Sequence, residues 1–140
     1  MVVRIVAAVV LFALLAALAW WFERRRHEDA PTQPTALPPT QLDRGDFARP
    51  TASWLVVLFT SSNCDSCAGL YDKAVALESD EVAVTEVEYF AQPALHERYH
   101  IDAAPMTLIA DAEGVVRVSF VGGFAAPELW SAVAELRANE

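Results

Sequence analysis

The two cysteines of this chain lie three positions apart, as Cys64 and Cys67, shortly after a charge-free apolar run over residues 54–59. Such a run is typical of a buried strand, whereas the spacing of apolar residues over 68–77 predicts an amphipathic helix. A pair of thiols at a strand-to-helix turn is suited to redox chemistry. The start of a helix favours a thiolate, and the second sulfur lies near enough to the first to form a disulfide with it.

The N-terminal part of the chain has a different character. Residues 5–22 form a run of 18 uncharged residues, flanked by Arg4 and by the charged cluster 23–26. As a helix this run is roughly 27 Å long at about 1.5 Å per residue, which is close to the hydrocarbon thickness of a bilayer. Trp20 and Trp21 lie where interfacial aromatic residues occur. We therefore predict a single-pass transmembrane anchor over residues 1–26.

Two alternatives remain open for this segment. Ala17 and Ala19 form the small-x-small pattern at which signal peptides are cleaved, although the length of the run and the following aromatic and basic residues favour an uncleaved anchor. The excess of arginine after the run predicts a cytoplasmic location for the remainder by the positive-inside rule, with a small margin. An extracytoplasmic location is the alternative, because a CxxC pair functions in reducing and oxidising compartments alike.

The remainder divides into a linker and one domain. Residues 27–49 are rich in Pro, Thr, Gln and acidic residues, which predicts an extended spacer with a short element near Phe47. Residues 50–140 alternate between two kinds of pattern, with strands expected over 55–59, 82–87, 107–110 and 115–121, and helices over 68–77, 93–99 and from Pro127 onwards. This order predicts an α/β domain with a mixed sheet of four to five strands flanked by helices.

The charge of the domain limits its partners. Beyond residue 50, fourteen acidic residues oppose four basic ones, and the whole chain has a formal net charge of −9. Phosphate contacts need clustered Lys and Arg, so we predict no nucleic-acid partner. No phosphate-binding glycine loop or Ser-His-Asp arrangement stands out, and we predict no cofactor.

A metal site is the rival explanation of the cysteines, besides a passive structural disulfide. His96 and His100 are spaced i, i+4, so that they and the two cysteines formally offer Cys₂His₂ ligation of zinc. The 28 residues between Cys67 and His96 far exceed the usual spacing in zinc fingers. We therefore predict no metal and favour a redox role.

Four regions of the sequence resemble, in order, the signature regions of the thioredoxin superfamily. They are the apolar strand leading into the Cys64–Cys67 pair, the segment 99–105 ending in Pro105, a hairpin containing Gly114, and the Gly122–Gly123 pair before the last helix. The resemblance covers residues 54–137, nearly all of the predicted domain. It implies a thioredoxin-like fold and the exchange of disulfides with partner proteins.

The resemblance also implies roles for the matched positions. Cys64 would attack a partner disulfide as a thiolate, and Cys67 would resolve the mixed disulfide. Pro105 would follow a cis peptide bond facing the cysteines, and Ala104 before it would offer backbone hydrogen bonds to the partner chain. One of the Gly122–Gly123 pair would form the flat opposite wall of the partner groove. The implied partners are proteins that carry thiols or disulfides.

The chain departs from the thioredoxin pattern around the cysteines. Asn63 replaces the usual Trp before the first cysteine, and Asp65 and Ser66 replace Gly-Pro between the two. Leu58 stands where the family has a buried Asp that moves the proton of the resolving thiol, so no general base is evident near Cys67. We predict a membrane-tethered thiol–disulfide oxidoreductase, and the motif is compatible with either reduction or oxidation of its partners. The alternative is a non-catalytic interaction module at the membrane.

Overall fold

The computed structural model describes residues 1, 4, 11–18 and 37–139. Residues 11–18 are helical and exposed. In these ranges no helix is both long enough and apolar enough to cross a bilayer. Most of the predicted anchor over residues 1–26, and the linker up to residue 36, lie outside the described residues. The anchor therefore stays a prediction.

A four-stranded mixed sheet forms the centre of the described domain. Its strands are β1 (Trp54–Thr60), β2 (Val82–Glu88), β3 (Met106–Ala110) and β4 (Val116–Val121), arranged in the order β2-β1-β3-β4. The first two strands pair in parallel, and the other two pairs are antiparallel. Every residue of β1 is buried, as expected for a central apolar strand. The predicted α/β class and mixed sheet of four to five strands are confirmed.

Three α-helices flank this sheet: α1 (Leu70–Val75), α2 (Pro93–Arg98) and α3 (Ala126–Ala138). Helix α2 begins with proline at its first position, where the missing N–H costs no hydrogen bond. At the start of α3, the Glu128 side chain accepts a hydrogen bond from the backbone N–H of Ala125 at 2.8 Å. These local signals explain why the predicted positions of both helices are close to the observed ones.

Helix α1 is shorter than the predicted helix over 68–77. Gly69 has a left-handed backbone, with φ of 71°, and immediately precedes the helix. Before it, Asp65–Cys67 form a separate 3-10 turn. Because the chain reverses its helical sense at Gly69, the cysteines do not lie in the first turn of the α-helix.

The two faces of the sheet carry separate apolar layers. Odd-numbered residues of β1, such as Leu55, pack with residues near α2, whereas even-numbered ones, such as Val56, pack with α1 and α3. This division follows from the alternation of side chains along a strand.

Residues 40–47 pack against the domain, although the sequence pattern assigns them to the linker. The backbone N–H of Val116 donates to the carbonyl of Thr40 at 2.9 Å, and that of Leu42 donates to the carbonyl of Gly114 at 2.8 Å. Leu42 and Phe47 are both buried in the layer next to α2. The packed unit therefore starts about ten residues before the predicted domain boundary at residue 50.

Candidate functional site

The cysteine pair lies just beyond the C-terminal end of β1. Cys64 and Cys67 form a disulfide, with their Cα atoms 5.4 Å apart. The 3-10 turn between them brings the sulfurs together, since the N–H of Cys67 donates to the carbonyl of Cys64 at 3.1 Å. The expectation that Cys64 sits at the start of an α-helix is wrong, because α1 begins only at Leu70. Local groups of the turn, rather than the dipole of α1, surround the first sulfur.

The other predicted site residues converge on this disulfide. Sγ of Cys64 lies 3.6 Å from the carbonyl oxygen of Ala104, and the Ala104–Pro105 peptide bond is cis. The carbonyl of Pro105 accepts a hydrogen bond from the backbone N–H of Gly122 at 2.8 Å. These contacts connect three separate segments of the chain around one pair of sulfur atoms.

Gly123 completes the arrangement next to the cysteine turn. A Cβ atom at this position would lie 3.8 Å from the carbonyl oxygen of Ser66, which is an ordinary van der Waals contact, so Gly123 lies next to the cysteine turn. The neighbouring Gly122 has a φ of 93°, which an L side chain rarely adopts, and the space beside it is open. The glycine pair therefore forms a low wall beside the disulfide.

The disulfide is shielded but not enclosed. Cys64 and Cys67 are each 9 % exposed, and they cluster with Ala104, against which Tyr89 also packs. The Ser66 hydroxyl oxygen lies 3.3 Å from Sγ of Cys64, close enough to donate a hydrogen bond to a thiolate there. A protein segment laid over this edge would meet sulfur, backbone carbonyl and glycine together.

An open cavity of about 370 Å³ extends from the disulfide towards β2. Its lining includes Thr60, Cys67, Asp72, Glu86 and Glu88. Three of these residues are acidic, so the cavity is negatively charged when they are ionised. Negative charge nearby opposes the formation of a thiolate at either cysteine.

Glu88 holds the loop that leads into Cys64. Its two carboxylate oxygens accept hydrogen bonds from the backbone N–H groups of Ser62 at 2.9 Å, Phe90 at 2.9 Å and Ala91 at 2.8 Å. Burial alone would raise the pKa of Glu88, but these backbone donors outweigh it and the pKa is lowered. The side chain therefore remains a carboxylate that ties the loop to the turn after β2.

Glu86 occupies a different environment on the same face of β2. The buried hydroxyl of Thr60 donates to one of its carboxylate oxygens at 2.8 Å. Within the described part of the chain, this is the one hydrogen bond that the carboxylate of Glu86 accepts. The rest of the carboxylate faces the open cavity. Glu86 pairs in register with Leu58 of β1, so the two side chains lie side by side on the sheet.

The geometry does not support the zinc alternative. Among the described residues, no group of three or more His, Cys, Asp or Glu side chains is placed to share a metal ion. His96 instead forms a 3.0 Å hydrogen bond with the carbonyl of Val87 and packs edge-on against Phe59 and Tyr89. Burial lowers the pKa of His96, although the Val87 carbonyl partly opposes this effect. The histidine is a buried core residue.

The sequence pattern alone did not indicate the two glutamates beside the site. Val82, Val84, Glu86 and Glu88 alternate along β2 and so share one face, of which the first two positions are core. One signal in the sequence could have identified them: the buried face of β2 continues with acidic residues towards the carboxyl end of the strand. Their proximity to the cysteines depends on the pairing of β2 with β1.

Comparison of the chain with protein-family models finds no match, and comparison with curated proteins finds none either. What the structure itself defines is an α/β domain with a disulfide at the carboxyl end of its central strand. The resemblance to the thioredoxin superfamily remains a prediction.

Proposed function

We propose that this chain is a membrane-tethered thiol–disulfide oxidoreductase whose domain has a thioredoxin-like fold. The observation that carries the proposal is the contact of Cys64 with the carbonyl of Ala104, beside the low wall of the Gly122–Gly123 pair. Backbone atoms of Ala104 and of the glycine pair lie next to the cysteine turn, and we propose that together they form a partner groove. The partner class that fits such a groove is an extended protein segment containing a disulfide or a thiol.

The exchange reaction uses both cysteines in turn. In the reducing direction, the thiolate of Cys64 attacks one sulfur of a partner disulfide, which breaks that bond and releases one partner thiolate. Cys67 then attacks Sγ of Cys64, forms the Cys64–Cys67 disulfide and releases the second partner thiolate. Two electrons pass from the cysteine pair to the partner, and the reverse sequence oxidises a partner dithiol.

The membrane tether in this proposal rests on the 18-residue uncharged run over residues 5–22. The arginines after it favour a cytoplasmic domain, and an extracytoplasmic domain is the competing arrangement. A membrane-impermeant thiol label applied to intact cells after mild reduction distinguishes them. Labelling of Cys64 without lysis indicates an extracytoplasmic domain, and labelling only after lysis indicates a cytoplasmic one.

The test of the proposed activity is a trapping experiment with Cys67→Ser in the full-length chain. We expect this variant to accumulate mixed disulfides with partner proteins, because the thiol that releases them is gone. The double variant Cys64→Ser, Cys67→Ser is the matched control and should trap nothing. The proposal fails if no thiol-sensitive adducts form and the wild-type chain catalyses neither reduction nor oxidation of a protein disulfide.

A non-catalytic interaction module is the second candidate. The observation that favours it is the low exposure of both cysteines, 9 % each, which limits the access of a partner to sulfur. Under this hypothesis the groove still binds a protein segment, but the disulfide is permanent. Undiminished partner binding and cellular function in the double cysteine variant would support it over the oxidoreductase.

A further inference from the structure

We propose that a second cavity beside the disulfide binds an arginine side chain of the partner protein. This inference rests on the proposed function, because it adds a chemical feature to the partner segment that the groove would receive. The cavity, called here the α2 cavity, lies between the turn after β2, helix α2 and the segment after this helix. Its volume is about 520 Å³, and it is open to solvent.

Tyr89 connects the α2 cavity with the disulfide. The residue lines the cavity and also packs against the cluster of Cys64, Cys67 and Ala104. Its backbone N–H donates to the carbonyl of Thr60 at 2.8 Å, which holds it at the carboxyl end of β1. A partner segment that crosses the disulfide can therefore reach the α2 cavity with a side chain close to its own cysteine.

The buried imidazole of His96 gives this cavity a hydrogen-bond acceptor. The side chain is only 3 % exposed and lines the cavity. Its Nε2 lies 3.0 Å from the carbonyl of Val87, and a carbonyl only accepts, so Nε2 carries the proton. Burial lowers the pKa of His96, so the ring is neutral at pH 7 and Nδ1 is an acceptor.

Nδ1 of His96 is left for a ligand. Among the described residues Nδ1 has no hydrogen-bond partner, yet it is not one of the fully enclosed unsatisfied atoms, so the cavity is its access to solvent. The carboxylates of Glu97 and Asp102 also line the cavity. An ionised carboxylate and this nitrogen accept hydrogen bonds without donating any, so the ligand group that satisfies them is a donor, and its favoured charge is positive.

The apolar part of the lining favours arginine over lysine. Tyr89 offers an aromatic ring, and Pro93 and the buried Ile101 offer aliphatic surface. The stem of an arginine packs on such surface, whereas its guanidinium stacks on aromatic rings and presents five N–H donors in a planar fork. Lysine offers a compact charge that does not stack in this way.

The charge of the whole domain supports the same occupant. Beyond residue 50, fourteen acidic residues oppose four basic ones. Such a domain attracts a basic segment over a distance and repels an acidic one. The long-range field and the groups inside the α2 cavity therefore select the same kind of partner.

The test measures how tightly short fluorescent peptides bind to the oxidised full-length chain in a neutral detergent. Each peptide has a central serine in place of the partner cysteine, so no disulfide exchange occurs. Alanine fills the other positions except for one arginine, which is moved through all of them in turn. Matched peptides carry citrulline, which has the shape of arginine without its charge, or leucine. We expect at least one arginine position to bind at least about tenfold tighter than both matched peptides at low salt.

Glu97→Gln is the main variant, because Glu97 is exposed on α2 and the substitution leaves its size unchanged. We expect the preference for arginine over citrulline to fall at least about threefold in this variant. Asp72→Asn is the matched control, because Asp72 is also exposed and lines the other cavity beside Cys67. It removes the same charge outside the α2 cavity and should change the preference less than about twofold.

Three results would each overturn the inference. They are equal binding of the arginine and citrulline peptides at every position, tighter binding of a leucine peptide, and an equal loss of preference in Glu97→Gln and Asp72→Asn. The trapping experiment with Cys67→Ser tests the proposed activity separately. An arginine preference without trapped adducts would leave the site and overturn the activity, whereas trapped adducts without the preference would do the reverse.

Discussion

Glu88 links the loop before Cys64 to the turn after β2, so replacing it by glutamine tests how that loop is held. In the wild-type chain its carboxylate accepts backbone hydrogen bonds from Ser62, Phe90 and Ala91, all at 2.8–2.9 Å. A glutamine amide has one acceptor oxygen, and its NH₂ group would face a backbone donor. At least one of the three N–H groups therefore loses its partner.

The size of the effect follows from the strength of these bonds. A hydrogen bond to a charged group contributes about 1.5–3 kcal/mol, and the half-exposed position of Glu88 reduces this value through solvent screening. We expect Glu88→Gln to lower the free energy of unfolding by about 1.5 kcal/mol at pH 7. For a domain of about 100 residues, this corresponds to a fall in melting temperature of roughly 6–12 °C.

The effect should also depend on pH in one direction. The pKa of Glu88 lies below its ordinary value of 4.5. The stabilisation by the ionised group is therefore fully present above that value and is lost as the pH falls through the lower pKa of the folded state. The difference in stability between wild type and Glu88→Gln should be constant from about pH 6 to 8 and shrink below about pH 4.

Circular dichroism can follow the thermal unfolding of the full-length chain at pH 7 and at about pH 3.5. The two experiments give the loss of stability in Glu88→Gln and its dependence on pH. Glu135→Gln removes one negative charge from an exposed position of α3 and should change the free energy of unfolding by less than about 0.5 kcal/mol. Equal melting temperatures of Glu88→Gln and wild type at pH 7, or a difference that persists unchanged at the lower pH, would refute the reasoning.

Three further predictions concern stability. Leu42→Ala should cost about 3 kcal/mol in urea unfolding because the side chain is buried, whereas exposed Leu37→Ala should cost less than about 0.5 kcal/mol. In the same assay Gly69→Ala should cost about 1 kcal/mol, and Gly114→Ala should cost far more. The reason is that a Cβ at position 114 would clash with the carbonyl oxygen of Leu42, whereas the space at position 69 is open. Burial lowers the pKa of His96, so wild-type melting temperature should fall as the pH drops below 6.5, less steeply in His96→Gln.

The order of strands and helices could be predicted because each element carries a local signal. The apolar run of β1 and the proline that opens α2 depend only on neighbouring residues. The start of α1 could not be placed because a single glycine, Gly69, decides it, and glycine is tolerated both inside and outside helices. The position of the cysteines relative to that helix was missed for the same reason.

The contacts of the site depend on long-range pairing, which a single sequence does not specify. Glu86 reaches the cavity beside the cysteines because β2 pairs with β1 in the register that places Glu86 beside Leu58, and the two strands are separated along the chain by a helix. Similarly, Leu42 and Phe47 are isolated apolar residues in a polar stretch, so no periodicity marks them as core. By contrast, the convergence of Cys64 and Pro105 was expected from the resemblance, since family motifs carry information on tertiary contacts.

The segment that leads into the domain also covers one edge of the sheet. Leu42 contacts Gly114 in the turn after β3, whereas Cys64 follows the opposite end of β1. With seven residues in β1 at about 3.3 Å each, these two poles are about 20 Å apart. Before Leu42, residues 37–40 run beside residues 116–119 of β4, so the chain reaches this pole along the edge of the sheet from the side of the disulfide. This segment covers part of β4, one of the two edge strands, and so hinders the pairing of that edge with another chain.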